Sequence, residues 1–125
     1  DKGLYRYDPA GNTLILESAG DHGEKLVKAC LGQKFLGTSS IVLAWEAEFD
    51  RTVKRYKERG YRYILIDAGH SSHSVALAAV SMGLHTVQVG AYSDLAVNTM
   101  FGLDGENKAI VYMTPVGHKA PKPSK

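Results

Sequence analysis

Hydrophobic and polar positions change period along the chain, and each change marks an element. Residues Gly3 to Asp8 alternate and are rich in tyrosine, and Thr13 to Glu17 repeat that two-residue period. Pro9, Ala10, Gly11 and Asn12 lie between them. A proline-fixed φ followed by glycine is turn chemistry, so a β-hairpin is predicted. From Glu24 to Leu31 the period becomes helical: Leu26, Val27, Cys30 and Leu31 share one face, and Gly32 stops the run. Ser40 to Trp45 is a short unbroken apolar run, the pattern of a strand buried on both faces. Glu48 to Glu58 is charged, with Phe49, Val53 and Tyr56 at helical spacing, and Arg59-Gly60 is expected to break that helix.

Tyr61 to Met82 is the longest periodic segment. Ile64, Leu65, Ala68, Val75, Ala79 and Met82 recur at three- and four-residue steps, and small residues crowd its second half. A helix that is apolar or small around most of its surface is buried on several sides. In so short a chain, part of that burial is expected from a second copy. Gly83-Leu84 ends the helix. His85 to Val89 reads as a strand, Gly90 to Tyr92 as a turn, and Ser93 or Asp94 as the cap of a helix through Phe101. Gly102, Asp104 and Gly105 form a loop, Lys108 to Met113 a last strand, and Gly117 to Lys125 an irregular tail. The order β-β-α-β-α-α-β-α-β predicts an α+β fold, a mixed sheet covered by helices.

Composition narrows the function. The chain has 125 residues, one domain's worth, and a formal net charge of +2. The basic residues form no single dominant block, so nucleic acid is not the default partner. No apolar run approaches the ~20 residues of a membrane helix, and no signal sequence opens the chain. Cys30 is the only cysteine, so no intramolecular disulfide can form and a reducing, cytoplasmic setting is expected. The first residue is Asp1 rather than methionine, which points to a processed, cut or incomplete chain.

Candidate chemistry is sparse. Asp67, His70 and His73 stand at three-residue steps on the long helix, and carboxylate and imidazole suit zinc or iron. No fourth ligand is evident and the steps drift off one face, so surface and core polar roles are favoured and no metal site is assigned. His22, His85 and His118 are scattered. Gly69-His70-Ser71-Ser72-His73 lacks the glycine flanks of a nucleophile elbow. Cys30 lies on an apolar face, as a small buried hydrophobe would. There is no P-loop and no G-x-G-x-x-G. Gly90-Ala91, just past a strand, is a place where bare backbone can approach a flat ligand, or else a plain connection.

Several segments together resemble the nitroreductase superfamily, and its SagB-type dehydrogenase branch most. Residues Arg55-Tyr56-Lys57-Glu58-Arg59-Gly60-Tyr61-Arg62 run into a long helix with Ala68-Gly69-His70, as in that branch. Leu77-Ala78-Ala79 and Gly83-Leu84-His85-Thr86 match its helix end, Gly3 to Asp8 its opening hairpin, and Val116-Gly117-His118 its final strand. The resemblance covers residues 3–118, leaving 119–125 as a basic tail. It implies an FMN-dependent oxidoreductase that passes hydride through flavin N5 and works as a homodimer, with the long central helix at the dimer interface. NAD(P)H, or the substrate itself, would be the electron donor.

Position by position, the resemblance puts Gln88, Val89, Gly90 and Ala91 beside the isoalloxazine ring. It puts Lys119, Lys122 and Lys125 near a basic phosphate ligand, a role that competes with a solvated tail. Tyr56 matches a substrate-side tyrosine, but Arg55 replaces the lysine that precedes it, and arginine cannot serve as a base near neutral pH. The family's first part, with two helices and an arginine-rich phosphate clamp, has no match here. The chain therefore resembles only the C-terminal part of such a domain. Either a second polypeptide supplies the remainder, or oligomerisation covers the exposed core. The alternative function is a flavin-free oligomerising or binding module on the same scaffold.

Overall fold

A computed structural model describes residues 1–119 of the chain. Alternation makes β1 (Gly3–Asp8) and β2 (Thr13–Ala19) an antiparallel hairpin, with Tyr5 opposite Leu16 and Tyr7 opposite Leu14. Asp8 closes the turn by accepting from the N–H groups of Ala10 (3.0 Å) and Gly11 (3.2 Å). Arg6 Nε donates to Glu17 Oε1 at 2.6 Å on the opposite face. The hairpin is a sheet of its own, and all of β2 is exposed.

The second sheet has the order β3 (Ile41–Glu48), β5 (Lys108–Gly117), β4 (His85–Thr86), all antiparallel. The apolar run of β3 is therefore an edge strand rather than one buried on both faces. Its residues are mostly half-covered and Ile41 is exposed. The buried centre is β5, which continues past Met113 through Pro115 to Gly117. A proline has no N–H for the ladder, which hides that extension from pattern reading. The strand expected over His85 to Val89 is paired only at His85 and Thr86, with a separate bridge at Val89.

The helices cover one side each. On α1 (Gly23–Ala29), Leu26 and Ala29 are buried with the following Cys30, against Val97 of α5 (Asp94–Met100) and Ile110 and Met113 of β5. A single turn, α2 (Phe35–Thr38), adds Leu36 and was not anticipated. α3 (Phe49–Tyr56) ends at Lys57, whose φ of 54° turns the chain. Arg59-Gly60 does not break that helix; it begins α4 (Arg59–Ser81). Gly60 is there for contact, since a Cβ would sit 3.0 Å from Val53 Cα. α4 is ~35 Å long at 1.5 Å per residue. Gly83 at φ 72° lets its N–H reach Val80 C=O (3.0 Å) while Leu84 N–H reaches Ala79 C=O (2.9 Å), closing the helix as expected. No helix among the described residues is long and apolar enough to cross a membrane.

Two polar junctions position the functional region. Thr114 Oγ1, fully buried on β5, accepts from Trp45 Nε1 of β3 and shares a hydrogen bond with Ser72 Oγ of α4, both at 2.9 Å. This junction fastens the middle of α4 to the sheet. Asp104 gathers the loop before β5, accepting from the N–H groups of Lys108 (2.8 Å), Glu106 and Asn107 (both 2.9 Å). Asn107 in turn holds the start of α3, its C=O accepting from Phe49 N–H at 2.8 Å and its side chain from Asp50 N–H at 2.9 Å.

Thr114→Val keeps the shape and removes the shared acceptor. It should cost about 2 kcal/mol, because the part-buried Trp45 N–H and the buried Ser72 hydroxyl both lose their partner. Urea unfolding measures this, and a wild-type midpoint would refute the junction. The Lys108 main-chain N–H, followed by that of Glu106, holds the Asp104 carboxyl below its ordinary range. Its stabilisation is thus present above pH ~4 and is lost as pH falls through the lowered value. Asp104→Asn should flatten the acid limb of a stability–pH curve, and an unchanged limb would contradict that role.

Candidate functional site

Everything at the end of β4 follows from how Val89 is held. Its N–H donates to Met113 C=O (2.9 Å), its C=O accepts from Met113 N–H (3.0 Å), and its side chain is buried in the core. Both main-chain groups of Val89 are thus engaged with β5, and the bridge places its neighbours. Strand alternation turns Gln88 and Gly90 to the other side. Gln88 Nε2 donates to Ser72 C=O of α4 at 3.4 Å. Gln88 Oε1 is buried and meets no donor among the described residues.

Past Val89 the ladder stops. Gly90 and Ala91 are exposed, and among the described residues their N–H groups donate to no partner. Ala91 C=O accepts from Gln33 Nε2 at 2.7 Å, which fixes the strand end from the α1 side. A Cβ at Gly90 would meet only the Tyr112 ring, at 3.4 Å, an ordinary contact. The fold itself has no need of a bare Cα here. Order resumes at Ser93, whose N–H reaches Ala29 C=O (2.9 Å) and whose hydroxyl caps α5 from Ala96 N–H (3.4 Å).

Gly90 borders a groove of about 360 Å³ that is lined further by Phe49, Leu65, Tyr92, Ile110 and Val111. That volume is at the lower end of the roughly 300–1,000 Å³ typical of small-molecule sites. Tyr92 OH donates to Ile110 C=O at 3.0 Å. Burial, with the nearby Asp94 and Cys30, pushes its phenol up to about 12, so it stays a neutral donor and does no proton transfer near neutrality. Burial likewise pushes the Cys30 thiol up, which leaves it protonated and unsuited to nucleophilic attack.

This arrangement fits a flat heteroaromatic ring. Gly90 brings bare backbone and an N–H to the groove, while its chain neighbours Gln88 and Ala91, which do not line it, carry a buried acceptor and a second N–H without partners among the described residues. An isoalloxazine carries acceptors on its edge, so the flavin implied by the sequence suits the residues present.

The other sequence-derived candidates fall elsewhere. Tyr56 is exposed, edge-on to Tyr63 at 5.1 Å, with the Arg55 guanidinium 5.3 Å from its ring, and it does not line the groove. Phe49 and Leu65 of the same helices line it instead. Sequence reasoning assigned both to helix faces, and nothing in a 3.6-residue period separates a core face from a ligand wall. Lys119 is exposed after β5, while Lys122 and Lys125 lie outside the described residues. Asp67, His70 and His73 assemble no metal site among the described residues, and His70 Nδ1 instead lies 2.8 Å from Ile66 C=O of its own helix.

With that geometry in place, comparison with known proteins is informative. The sequence profile of the nitroreductase family matches residues 1–118. A curated relative, "Putative nitroreductase MJ1384" of Methanocaldococcus jannaschii, is 33% identical over 119 residues, covering 95% of this chain and 59% of that protein. The chain thus spans little more than half the length of that relative. Among solved structures, a "putative nitroreductase" from Anabaena variabilis superposes with a TM-score of 0.85 at 28% identity, covering 91% of this chain and 23% of that one. The fold also recurs in the Escherichia coli microcin synthetase McbBCD complex with truncated pro-MccB17 bound. There the TM-score is 0.82 at 24% identity, over 94% of this chain and 44% of that one.

Proposed function

The chain belongs to the nitroreductase family, and from that premise we propose that it is the C-terminal part of an FMN-dependent oxidoreductase of the SagB-type branch. Residues 3–118 form that part, followed in sequence by the basic residues 119–125. The carrying observation is the main chain of Gly90 and Ala91, whose N–H groups meet no partner among the described residues, with Gly90 bordering a groove at a position where the fold does not require a bare Cα.

Bound FMN supplies two-electron chemistry by hydride transfer at N5. The chain's own residues bind and orient. The N–H groups of Gly90 and Ala91 donate to ring acceptors, which favours the electron-rich reduced ring. Gln88 supplies an acceptor beside them, Leu65 and Phe49 exclude water, and the neutral Tyr92 keeps the groove floor rigid through Ile110. A reduced nicotinamide is the proposed donor, and Tyr56 the substrate-side residue.

The site is completed by a second copy across α4. Leu65, Ile66, Leu77, Val80 and Met82 are exposed along and just past that helix. The chain's accessible surface of 8955 Å² exceeds the roughly 6,600 Å² expected of a globular monomer of its mass. A run of exposed apolar side chains along one helix is an association surface. A further polypeptide supplying the family's first part is the second proposed partner.

Titration with FMN tests the assignment. The chain should turn yellow and retain flavin on gel filtration as a dimer. Gly90→Ala should fold normally, given the room at Tyr112, yet bind FMN about tenfold more weakly, because the methyl stands where the ring must approach. A colourless protein that gains no thermal stability from FMN would refute the reading and favour the flavin-free module.

A further inference from the structure

No residue of α3 is buried, so no apolar face anchors that helix as Leu26 and Ala29 anchor α1. Its start also lacks a local cap, since the Glu48 side chain accepts no bond from the helix. The first N–H groups of an α-helix have no partner within it. On α3 they are met across space. Phe49 N–H donates to the C=O of Asn107 (2.8 Å) and Asp50 N–H to its Oδ1 (2.9 Å). A residue 57 positions beyond Asp50 thus takes the part of an N-cap. Asn107 is itself fixed, because its N–H donates to Asp104 Oδ1 at 2.9 Å.

The other end of α3 opposes this docking. Lys57 has φ 54° and ψ −142°, a conformation open to glycine and strained for a residue with a Cβ. Such strain persists only where surrounding contacts enforce it. Beside the Asn107 bonds, those contacts include the approach of Val53 to Gly60 and the Phe49 ring tilted on Tyr61, with centroids 5.5 Å apart. Phe49 also lines the Gly90 groove, with Leu65 of α4. The residue whose N–H Asn107 holds is therefore one that walls the groove.

We propose that Asn107 is a positioning residue for the Gly90 groove: by capping α3 from outside, it winds the first turn and keeps Phe49 at the groove wall. When its contacts break, that turn unwinds ahead of the rest of the fold and the wall opens. A segment with few buried contacts is where local opening is expected. That the groove receives a flavin rests on the proposed oxidoreductase reading. The capping of α3 and the placement of Phe49 do not.

Amide-resolved hydrogen exchange on the full chain, without ligand, tests this. In the wild type the N–H groups of Val53 to Tyr56 should exchange faster than those of α4 near Ala79. Asn107→Ala should widen that ratio about fivefold and weaken the NOEs between the Phe49 and Tyr61 rings. Asn107→Asp keeps an acceptor for Asp50 N–H and adds a charge that a helix N-terminus favours. With salt to screen Asp104, it should restore the wild-type ratio and the NOEs. Lys57→Gly should slow the same α3 amides, because the strain at that end is gone. The proposal is overturned if α3 and α4 amides exchange together in every variant, or if Asn107→Asp is as loose as Asn107→Ala. Full Phe49–Tyr61 NOEs in Asn107→Ala, or unchanged α3 exchange in Lys57→Gly, would also contradict it. In FMN titration, Asn107→Ala should bind about fivefold more weakly and Asn107→Asp as the wild type does. Equal FMN affinity in Asn107→Ala would remove the role at the groove. A wild type that binds no FMN fails the flavin reading, while exchange and NOEs still decide this one.

Discussion

The Val89–Met113 bridge is the constraint on which the functional region depends. Two main-chain hydrogen bonds of 2.9 and 3.0 Å and a fully buried side chain pin one residue of an otherwise unpaired stretch. Were Val87 to Ala91 paired along their length, every N–H would have an acceptor in the sheet and none would be left for a ligand. Were none paired, the stretch would be a loop without fixed geometry. One bridge gives both properties: Gly90 and Ala91 are held in place and left unsatisfied. Binding groups positioned by a rigid frame need little ordering when a ligand arrives.

The frame around that bridge is small and has two kinds of support. The apolar core joins α1, α5 and β5 on one side of the sheet. On the other side, α4 is attached by the buried contacts of Ser72 and Ala79 and by the shared hydroxyl of Thr114. Most of the apolar surface of α4 is left uncovered, as is the tyrosine- and leucine-rich face of the hairpin. An isolated two-stranded hairpin is marginal in water. That uncovered apolar surface is what the proposed second copy or companion chain would cover.

The sequence carried much of this and withheld specific parts. Period located α1, α3 and α4, period with turn chemistry the hairpin, cap chemistry α5, and glycine chemistry the end of α4 at Gly83. Three local signals misled. An unbroken apolar run read as a strand buried on both faces, although an edge strand whose residues are mostly half-covered can be equally apolar. Arg59-Gly60 read as a stop, because glycine's other use, close helix packing, leaves the same letter. Pro115 disguised the length of β5. At the site, Gly90 and Ala91 were legible as a place for backbone approach. Phe49 and Leu65 were not, because they meet the strand end only through tertiary packing. Neither was the pairing at Val89, which depends on a residue 24 positions away.

The most direct test of the ring wall at the strand end is a ¹⁵N-resolved NMR titration of the chain with FMN, following each backbone amide. The account requires the Gly90 and Ala91 resonances to move most, with Val89 held by its bridge and slow to exchange with solvent throughout. Flavin-induced shifts confined to other parts of the chain, with Gly90 and Ala91 unmoved at saturation, would contradict it.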